Sequence, residues 1–394
     1  MRGGGLHRKI GIVVVTSPAR SHPSTAMLWG VLGSTASMIG GLRDAHVTVV
    51  CDGYRTDRHL DAAHASRVEA KLQRDPCCLS KKGIVRHDIA SSYETFKDRL
   101  RREAAARRQE LGGGISIVDL DTHHGFAMSV KRGLHEVAER GLPFSLVLQH
   151  DRAFIRPFAQ ADLSELLTEF ERCPSLRYVG FPSSTSKRLA TRLEPKYQLG
   201  ALLRERSRPL RREGLRLRPL NFWYDSNHLV HTARALEIYE PYAHAPAWLR
   251  ERLGTRRFRL LRLRRGDFIE DRFGTEQRSI LCELAMDTDA CLGAFDFFGS
   301  YLLEDTSALA GSNAAEAAGS DPESDAGDAA APDDAAPSPD GAPALCDLID
   351  SRGRTSYVAH IDARGATPRS WLSALPSLQA GSEADAASEE KEVG

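Results

Sequence analysis

A short apolar run that ends abruptly in polar residues constrains the fold of this chain more than any other feature. Residues 144–148 predict a buried β-strand, because the run is too short to form a helical face. Four polar residues follow directly: Gln149, His150, Asp151 and Arg152. Ligands of open α/β sheets bind outside the carboxyl ends of the strands, so this polar group is a candidate site. The alternative is that it only leads the chain out of the core into a loop.

The segments on either side of this strand favour a parallel sheet. Runs rich in β-branched residues at 10–16 and 47–51 predict two strands, and the residues between them predict a helix over 25–39. A strand, a helix and a strand within about 40 residues make a βαβ unit, whose strands run parallel. Further strands are predicted at 115–118 and 178–181. We therefore predict an α/β fold with a mostly parallel, Rossmann-like sheet and flanking helices.

The C-terminal third contains a compositional break. Residues 295–303 alternate roughly as a strand does, and residues 355–364 predict a further strand. Residues 306–343, between them, are mostly Ala, Asp, Ser, Gly and Pro with almost no apolar bulk, so we expect them to be disordered. We predict that the two strands pair as a C-terminal β-hairpin that this disordered loop interrupts.

Charge and cysteine usage narrow the class of protein. The 53 basic and 53 acidic residues sum to zero, but residues 187–272 are rich in Arg and the chain after residue 304 is acidic. The seven cysteines include no CxxC pair, which argues against a zinc ribbon or a disulfide framework. No apolar run approaches the ~20 residues of a membrane span, and residues 10–15 are too short for a signal-peptide core. We expect a cytoplasmic or otherwise soluble protein.

The basic runs at 187–218 and 250–265 raise the question of nucleic-acid binding, since Arg-rich stretches supply phosphate contacts. The second run alternates basic with apolar residues, which is typical of an amphipathic element with one buried face. No RNA-binding signature accompanies it, and we expect no nucleic-acid partner. An anionic acceptor, or the acidic segment of this chain, remains open as a partner for these residues.

Taken in order, the polar strand ends resemble the GT-A fold, and within it the inverting family 2 nucleotide-sugar glycosyltransferases. Asp52 follows the second strand, where that family keeps an acidic residue for the base or ribose of the donor. Asp151 falls in the last position of the family's Asp-x-Asp motif, whose first position is Gln149 here. Glu270 and Asp271 match the Glu-Asp pair that supplies the catalytic base.

The resemblance, which covers about residues 8–304, implies roles for further residues and divides the chain. It implies donor-binding roles for Thr16, Asp52, His124, Gly125, Gln149, His150 and Arg278, and acceptor-side roles for Trp223, Asp225, Asn227 and His228. The predicted segments are a flexible N-terminus over 1–9, a GT-A-like domain over 10–304 with nucleotide and acceptor halves that meet near 182, a disordered acidic insertion over 305–345, a return strand over 346–372 and a flexible acidic tail over 373–394.

The resemblance also implies a metal and a base. Departing diphosphate gains negative charge, which a divalent cation offsets. We expect Asp151 to hold Mn²⁺ or Mg²⁺ together with phosphate oxygens, and His360 to complete the site as a C-terminal histidine does in several GT-A enzymes. A structural role in its strand is the alternative for His360. We favour Asp271 as the base, with Glu270 as the fallback, because neighbours on a helix lie about 100° apart and only one can face the acceptor. The alternative to a catalytic role is that Glu270 and Asp271 are a structural carboxylate pair, favoured by the positive end of a helix dipole at a helix start.

Three hypotheses about function follow. The first is a metal-dependent glycosyltransferase that uses a UDP- or GDP-linked sugar and a glycan or small-molecule acceptor. The second is a catalytically inactive GT-A-like domain that binds an anionic partner, which Gln149 in place of the first carboxylate keeps open. The third is a nucleotidyltransferase, which ranks last because residues 16–23 contain no glycine for the Gly-rich loop that such an enzyme needs.

Overall fold

The computed structural model describes residues 5–19, 21–56, 83–107, 112–183, 199–305 and 358–360. Most of the predicted acidic insertion and return strand, and all of the acidic tail, lie outside the described residues. Part of the predicted flexible N-terminus is described: residues Leu6–Arg8 form a helical turn, and Leu6 packs into the hydrophobic core.

The strands and helices follow the predicted βα series. The described strands are β1 (Ile10–Thr16), β2 (Val47–Cys51), β3 (Arg55–Thr56), β4 (Ile84–Val85), β5 (Ile115–Asp119), β6 (Phe144–Gln149), β7 (Arg152–Phe154), β8 (Tyr178–Gly180), β9 (Arg208–Pro209), β10 (Leu215–Pro219), β11 (His228–His231), β12 (Ser300–Asp305) and β13 (Val358–His360). The described α-helices are α1 (Ala26–Met38), α2 (His87–Ala106), α3 (Gly125–Glu139), α4 (Gln160–Arg172), α5 (Leu199–Leu203), α6 (Thr232–Leu236), α7 (Pro241–His244), α8 (Ala247–Leu261), α9 (Thr275–Glu283) and α10 (Thr288–Phe298).

Nine of the described strands form one sheet in the order β5-β2-β1-β6-β11-β8-β12-β10-β9. The pairs β5–β2, β2–β1, β1–β6 and β8–β12 are parallel. Only β11 and β10 run against the common direction of the other seven strands of this sheet. The predicted α/β class and the mostly parallel sheet are therefore confirmed, with two reversed strands that the sequence reading did not include.

The middle of this sheet is a buried core, as its sequence predicts. All seven residues of β1 are buried, and so are the first five of β6. Helix α3 packs against β1 so closely that a Cβ on Gly133 would lie 2.3 Å from Cγ1 of Val13. With its apolar side chains covered, this part of the sheet offers polar groups only where its strands end.

The predicted C-terminal hairpin is wrong. Residues 295–298 complete helix α10 rather than begin a strand, and β12 starts at Ser300 after Gly299 ends the helix with a positive φ of 59°. Strand β12 pairs with β8 on one edge and β10 on the other, so neither edge is left for β13. Strand β13 pairs instead with the short strand β7, in antiparallel register.

Among the described helices, none is both long enough and apolar enough to cross a membrane.

Candidate active site

A cleft of about 230 Å³ opens where β1, β2 and β6 end. The walls come from five separate segments of the chain. The lining residues are Val15, Ser17, Asp52, His123, Gly125, Phe126, Gln149, His150, Asp151, Gly266 and Phe268. The cleft therefore lies at the sheet edge where the polar strand ends predicted a site.

Asp52, the residue after β2, binds the start of helix α3 through its carboxylate. Its two carboxylate oxygens accept hydrogen bonds from the backbone N–H groups of His124, at 2.7 Å, and Gly125, at 2.9 Å. The Nδ1 atom of His123 lies 2.9 Å from Asp52 Oδ2. A buried carboxylate at this position caps a helix start and complements the positive end of its dipole. Asp52 lines the cleft, but both of its oxygens already have protein partners, and its donor-binding role stays a prediction.

The loop before α9 is hydrogen-bonded to the start of helix α3. Gly125 has a φ of 75°, and a Cβ on it would lie 2.6 Å from Cα of Gly266. The Gly266 N–H donates to the His124 carbonyl at 2.7 Å, and the Ala127 N–H donates to the Asp267 carbonyl at 3.1 Å. Only glycine combines this φ with so close a backbone approach.

This contact places an aromatic pair at the mouth of the cleft. The rings of Phe126 and Phe268 lie 6.2 Å apart at an interplanar angle of 14°. Phe268 is 47% exposed, although the loop that carries it is hydrogen-bonded to α3. An exposed aromatic held at a cleft is a typical binding feature, because its apolar face gains from being covered. We call Phe126 and Phe268 the aromatic pair.

The turn between β6 and β7 is fixed by Gln149 and Asn227. The Gln149 side chain donates through Nε2 to the Asp225 carbonyl at 2.5 Å and accepts at Oε1 from Arg152 Nε at 2.6 Å. Buried Asn227 accepts from the Gln149 N–H at 3.3 Å and donates to the Arg152 carbonyl at 2.9 Å. Gln149 therefore braces the turn with its amide, while half-buried His150 and Asp151 line the cleft.

The loop after β1 closes over the same turn. His22 is buried, and its ring centroid lies 4.0 Å from that of Phe96 and 6.2 Å from that of His150. Its Nδ1 accepts a hydrogen bond from the Ala19 N–H at 3.1 Å. Burial, and then the charge of His150, lower the pKa of His22 to about 3. His22 is therefore neutral near pH 7, which suits an acceptor that holds the loop.

On the other side of β6, the loop before β11 has three consecutive carbonyls fixed by side chains. Tyr178 donates to the Tyr224 carbonyl at 3.2 Å, Gln149 donates to the Asp225 carbonyl, and Nδ1 of His228 lies 2.5 Å from the Ser226 carbonyl. Burial lowers the pKa of His228 to about 4, so the ring is neutral and donates from Nδ1. This loop has little freedom to move.

That loop meets the helix start before α9, a π-helical turn over Glu270–Gly274, through two carboxyl groups. The Glu270 N–H donates to Asp225 Oδ1 at 3.2 Å, and the Asp225 N–H donates to Glu270 Oε2 at 3.5 Å. Burial, and then the charge of Glu270, raise the pKa of Asp225 well above its usual range. Burial also raises the pKa of Glu270, against the effects of the Asp225 amide and Arg152. Asp271 is exposed beside this pair, which we call the carboxyl corner (Asp225, Glu270 and Asp271).

Several predicted residues lie outside the cleft. Thr16 is buried, and its neighbours Val15 and Ser17 line the cleft instead. Trp223, Asn227 and His228 are at most 1% exposed and hold the loop from within the core rather than facing an acceptor. Arg278 lies with its guanidinium carbon 4.9 Å from the Phe222 ring centroid, and it is not among the lining residues.

The return strand reaches the turn that carries Asp151. In the pairing of β13 with β7, His360 stands opposite Arg152, the neighbour of Asp151. The predicted role of His360 as a metal ligand remains a prediction.

Within the described ranges, no three His, Cys, Asp or Glu side chains form a group suited to a metal ion. Both oxygens of Asp52 are engaged, so among the carboxylates that line the cleft a cation would have Asp151 as its protein ligand and would need oxygens from a bound ligand as well.

Sequence reasoning missed some of the cleft's walls. His123 stands beside two residues that were singled out, so its position after β5 was a usable signal. Phe126, Gly266 and Phe268 had no such signal, because two distant segments must meet before they become a wall. Arg152 belongs to the predicted polar group, but its contact with Gln149 depends on the turn geometry.

No protein-family model matches this chain, and no curated protein matches it. Among solved structures, the apo form of mouse xyloside xylosyltransferase 1 is similar over 72% of this chain and 83% of that chain, at 12% identity and a TM-score of 0.29. TarS of S. aureus is similar over 44% of this chain and 21% of that chain, at 12% identity and a TM-score of 0.25.

A putative glucose-1-phosphate thymidylyltransferase from Bacillus anthracis, in complex with sucrose, is similar over 43% of this chain and 53% of that chain, at 11% identity and a TM-score of 0.22. The chain thus spans less than two thirds of TarS and of this protein. Because all three TM-scores lie below 0.5, these similarities carry no conclusion about function, which has to come from the site's own residues.

Proposed function

We propose that this protein is a glycosyltransferase that moves a sugar from a nucleotide-diphosphate donor to an acceptor hydroxyl with inversion at the sugar carbon. One observation carries the proposal: Gln149 lines the cleft at the carboxyl ends of the parallel strands and is bonded directly to the carboxyl corner. In this proposal the cleft takes the donor, and the carboxyl corner beside it supplies the general base. The resemblance of the polar strand ends to the family 2 enzymes agrees with this arrangement.

In this proposal the donor lies along the order of the strand ends. His123 and the aromatic pair stand at the β5 and β2 side, Ser17 and Asp151 stand at the ends of β1 and β6, and the carboxyl corner lies beyond β6, next to β11. A planar base would stack on the aromatic pair, the diphosphate would lie near Asp151, and the sugar would point to the carboxyl corner. UDP- and GDP-linked donors both satisfy this order.

In this proposal Asp151 holds the diphosphate end, together with Mn²⁺ or Mg²⁺ bound by phosphate oxygens. Such a cation would offset the charge that builds on the departing diphosphate. Gln149 holds the turn and so the direction of Asp151, since its amide already has two protein partners.

Asp271 is the proposed general base, with Glu270 as the fallback. Asp271 is exposed and free to meet an acceptor hydroxyl, whereas Glu270 is half-buried and joined to Asp225. A positioned base contributes about 10²–10⁴-fold to a transfer of this kind. The raised pKa of Glu270 brings its basicity nearer to neutral pH, which is the feature in favour of the fallback.

Thermal stability with UDP, GDP and CMP, each with and without Mn²⁺, tests the proposal. A ligand at ~100 times its Kd stabilises a folded protein by ~2.7 kcal/mol, which raises the melting temperature by an easily measured amount. We expect a shift with UDP or GDP that grows with Mn²⁺. No shift with any nucleotide contradicts the proposal.

The second candidate is a catalytically inactive domain that binds an anionic partner, and the internal bonding of Gln149 and Asp52 favours it. A measurement of slow donor hydrolysis distinguishes the two candidate functions. A nucleotide sugar that binds and is hydrolysed in water supports the enzyme, while binding without hydrolysis or transfer supports the inactive domain.

A further inference from the structure

Asp225 occupies an unusual position for a carboxyl group. Its side chain is 5% exposed, and Oδ2 is buried with no hydrogen-bond partner among the described residues. The backbone around it is rigid, because the carbonyls of residues 224–226 are all fixed by side chains. The carboxyl group therefore has no easy way to turn towards water.

The surroundings of Asp225 oppose a negative charge. Glu270 faces it through the reciprocal backbone hydrogen bonds, and Asp271 adds a second acidic group nearby. No Lys, Arg or His of the described residues forms an ion pair with it. Burying a carboxylate without a cation costs far more than burying a neutral carboxylic acid. The titratable and charged groups that face the two carboxyls are Asp271 from the helix start, Arg152 from β7, Tyr178 from β8, Tyr224 from the loop and Tyr239 from the turn after α6.

Of the two carboxyl groups, Asp225 has the surroundings that oppose ionisation more strongly. Glu270 is half-buried, and the positive charge of Arg152 favours its ionised form. Asp225 is fully enclosed, and the neighbouring charge that acts most strongly on it is the negative charge of Glu270. The backbone amides of Glu270 and Ile269 favour ionisation of Asp225, but burial outweighs them.

We propose that Asp225 is a neutral carboxylic acid in the folded protein and a positioning residue that holds the carboxyl corner against the cleft. Through its carbonyl it is bonded to Gln149 of the cleft turn, and through its side chain it is bonded to the backbone of Glu270. One residue thus links the turn that carries Asp151 to the helix start that carries Asp271. The inference about the protonation state does not depend on the proposed function, whereas the positioning role rests on it.

Infrared difference spectroscopy tests the protonation state without any activity. The spectrum of the wild type minus that of Asp225→Asn at neutral pH should contain the C=O stretch of a protonated carboxyl. The matched control is Asp296→Asn, because Asp296 forms a two-bond ion pair with Arg206 at 3.0 Å for each bond. That second difference spectrum should contain only carboxylate bands. A carboxylate band in place of the protonated band for Asp225 overturns the inference.

The positioning role has a kinetic test. Asn matches the neutral acid in shape, so the kcat of Asp225→Asn should exceed that of Asp225→Ala by about 10–100-fold, the cost of misplaced reacting groups. The wild type should lose kcat at alkaline pH as Asp225 ionises, and Asp225→Asn should lack that loss. Equal kcat values for the two variants, or an alkaline loss that persists in Asp225→Asn, overturn the positioning role. If no form of the protein shows transfer or hydrolysis, the proposed function has failed, while the infrared result still decides the protonation state.

Discussion

Gly125 and Gly266 meet backbone to backbone, with 2.6 Å between the place of a Cβ on Gly125 and Cα of Gly266. The two residues are 141 positions apart in the chain, and their contact joins the start of α3 to the loop that carries Phe268. The contact depends on Gly125 having no side chain, and it places Phe268 against the cleft.

Replacing Gly125 with Ala should therefore lower the free energy of unfolding by more than backbone strain alone would. A positive φ costs a non-glycine residue roughly 1–2 kcal/mol, and here the new Cβ would also collide with backbone atoms. Gly141 is the matched control, since its φ is 71° and a Cβ there would meet nothing within 4 Å. Urea denaturation should show a clearly larger loss of unfolding free energy for Gly125→Ala than for Gly141→Ala. Equal losses would mean that the loop moves away freely.

Asp52→Asn should destabilise the start of α3. An amide has one acceptor oxygen where the carboxylate has two, so one of the N–H groups of His124 and Gly125 would face an NH₂ group. Loss of a buried acceptor of this kind costs about 1–3 kcal/mol of unfolding free energy. Asp121→Asn, at an exposed position in the same loop, should change it by no more than about 0.5 kcal/mol. A similar small change for Asp52→Asn would show that the cap contributes little.

Phe268→Ala should weaken nucleotide binding with little effect on folding, because nearly half of the side chain is already exposed. Stacking of a base on an aromatic ring contributes about 1–3 kcal/mol, or roughly 5–150-fold in Kd. Titration calorimetry with UDP and GDP measures this, and pyrophosphate should bind both proteins equally. Tyr242→Ala is the control, as Tyr242 is 45% exposed but does not line the cleft. Unchanged nucleotide affinity in Phe268→Ala would remove the aromatic pair from the donor site.

Asp151→Ala and Asp271→Ala should fail in different ways. The first should abolish the Mn²⁺-dependent part of the stabilisation by nucleotide, since it removes the carboxylate proposed to hold the cation. The second should keep nucleotide binding and lower kcat for transfer or donor hydrolysis by about 10²–10⁴-fold. If Glu270→Gln loses that activity while Asp271→Ala retains it, the fallback is the base. Loss of nucleotide binding in Asp271→Ala would contradict the assigned role.

His22 should make the fold sensitive to acid. Its pKa of about 3 in the folded protein lies below the ordinary value of 6.5, so the unfolded chain binds more protons between these pH values. Stability therefore falls as the pH drops below about 6.5, by up to ~1.4 kcal/mol per pH unit from this group. His22→Gln keeps an acceptor for the Ala19 N–H and does not titrate. Urea denaturation from pH 7 to pH 4 should show a shallower decline for this variant, and an equal decline would exclude His22 as the cause.

The sequence by itself determined the central strands and the edge of the sheet that carries the site. The predicted bounds of β1 and β2 agree with the structure to the residue, because a run rich in β-branched residues that is buried on both faces has few alternatives to a strand. The position of Asp151 followed for the same reason, since a polar residue after a buried strand emerges at the sheet's edge. The α/β class needed no more than this.

Only the tertiary structure decided what each polar group does at that edge. Whether Asp52 meets a ligand or the N–H groups of His124 and Gly125 depends on how the chain returns 72 residues later. Glu270 is half-buried because its carboxylate accepts from the Asp225 N–H while its own N–H donates to the Asp225 side chain. No spacing in the sequence reveals this pair of hydrogen bonds. The hairpin prediction failed in the same way, as β8 and β10 had already taken both edges of β12. Local hydrophobic patterns fix strands, but the partners of buried polar groups come from distant parts of the chain, and those are chosen only when the whole fold packs.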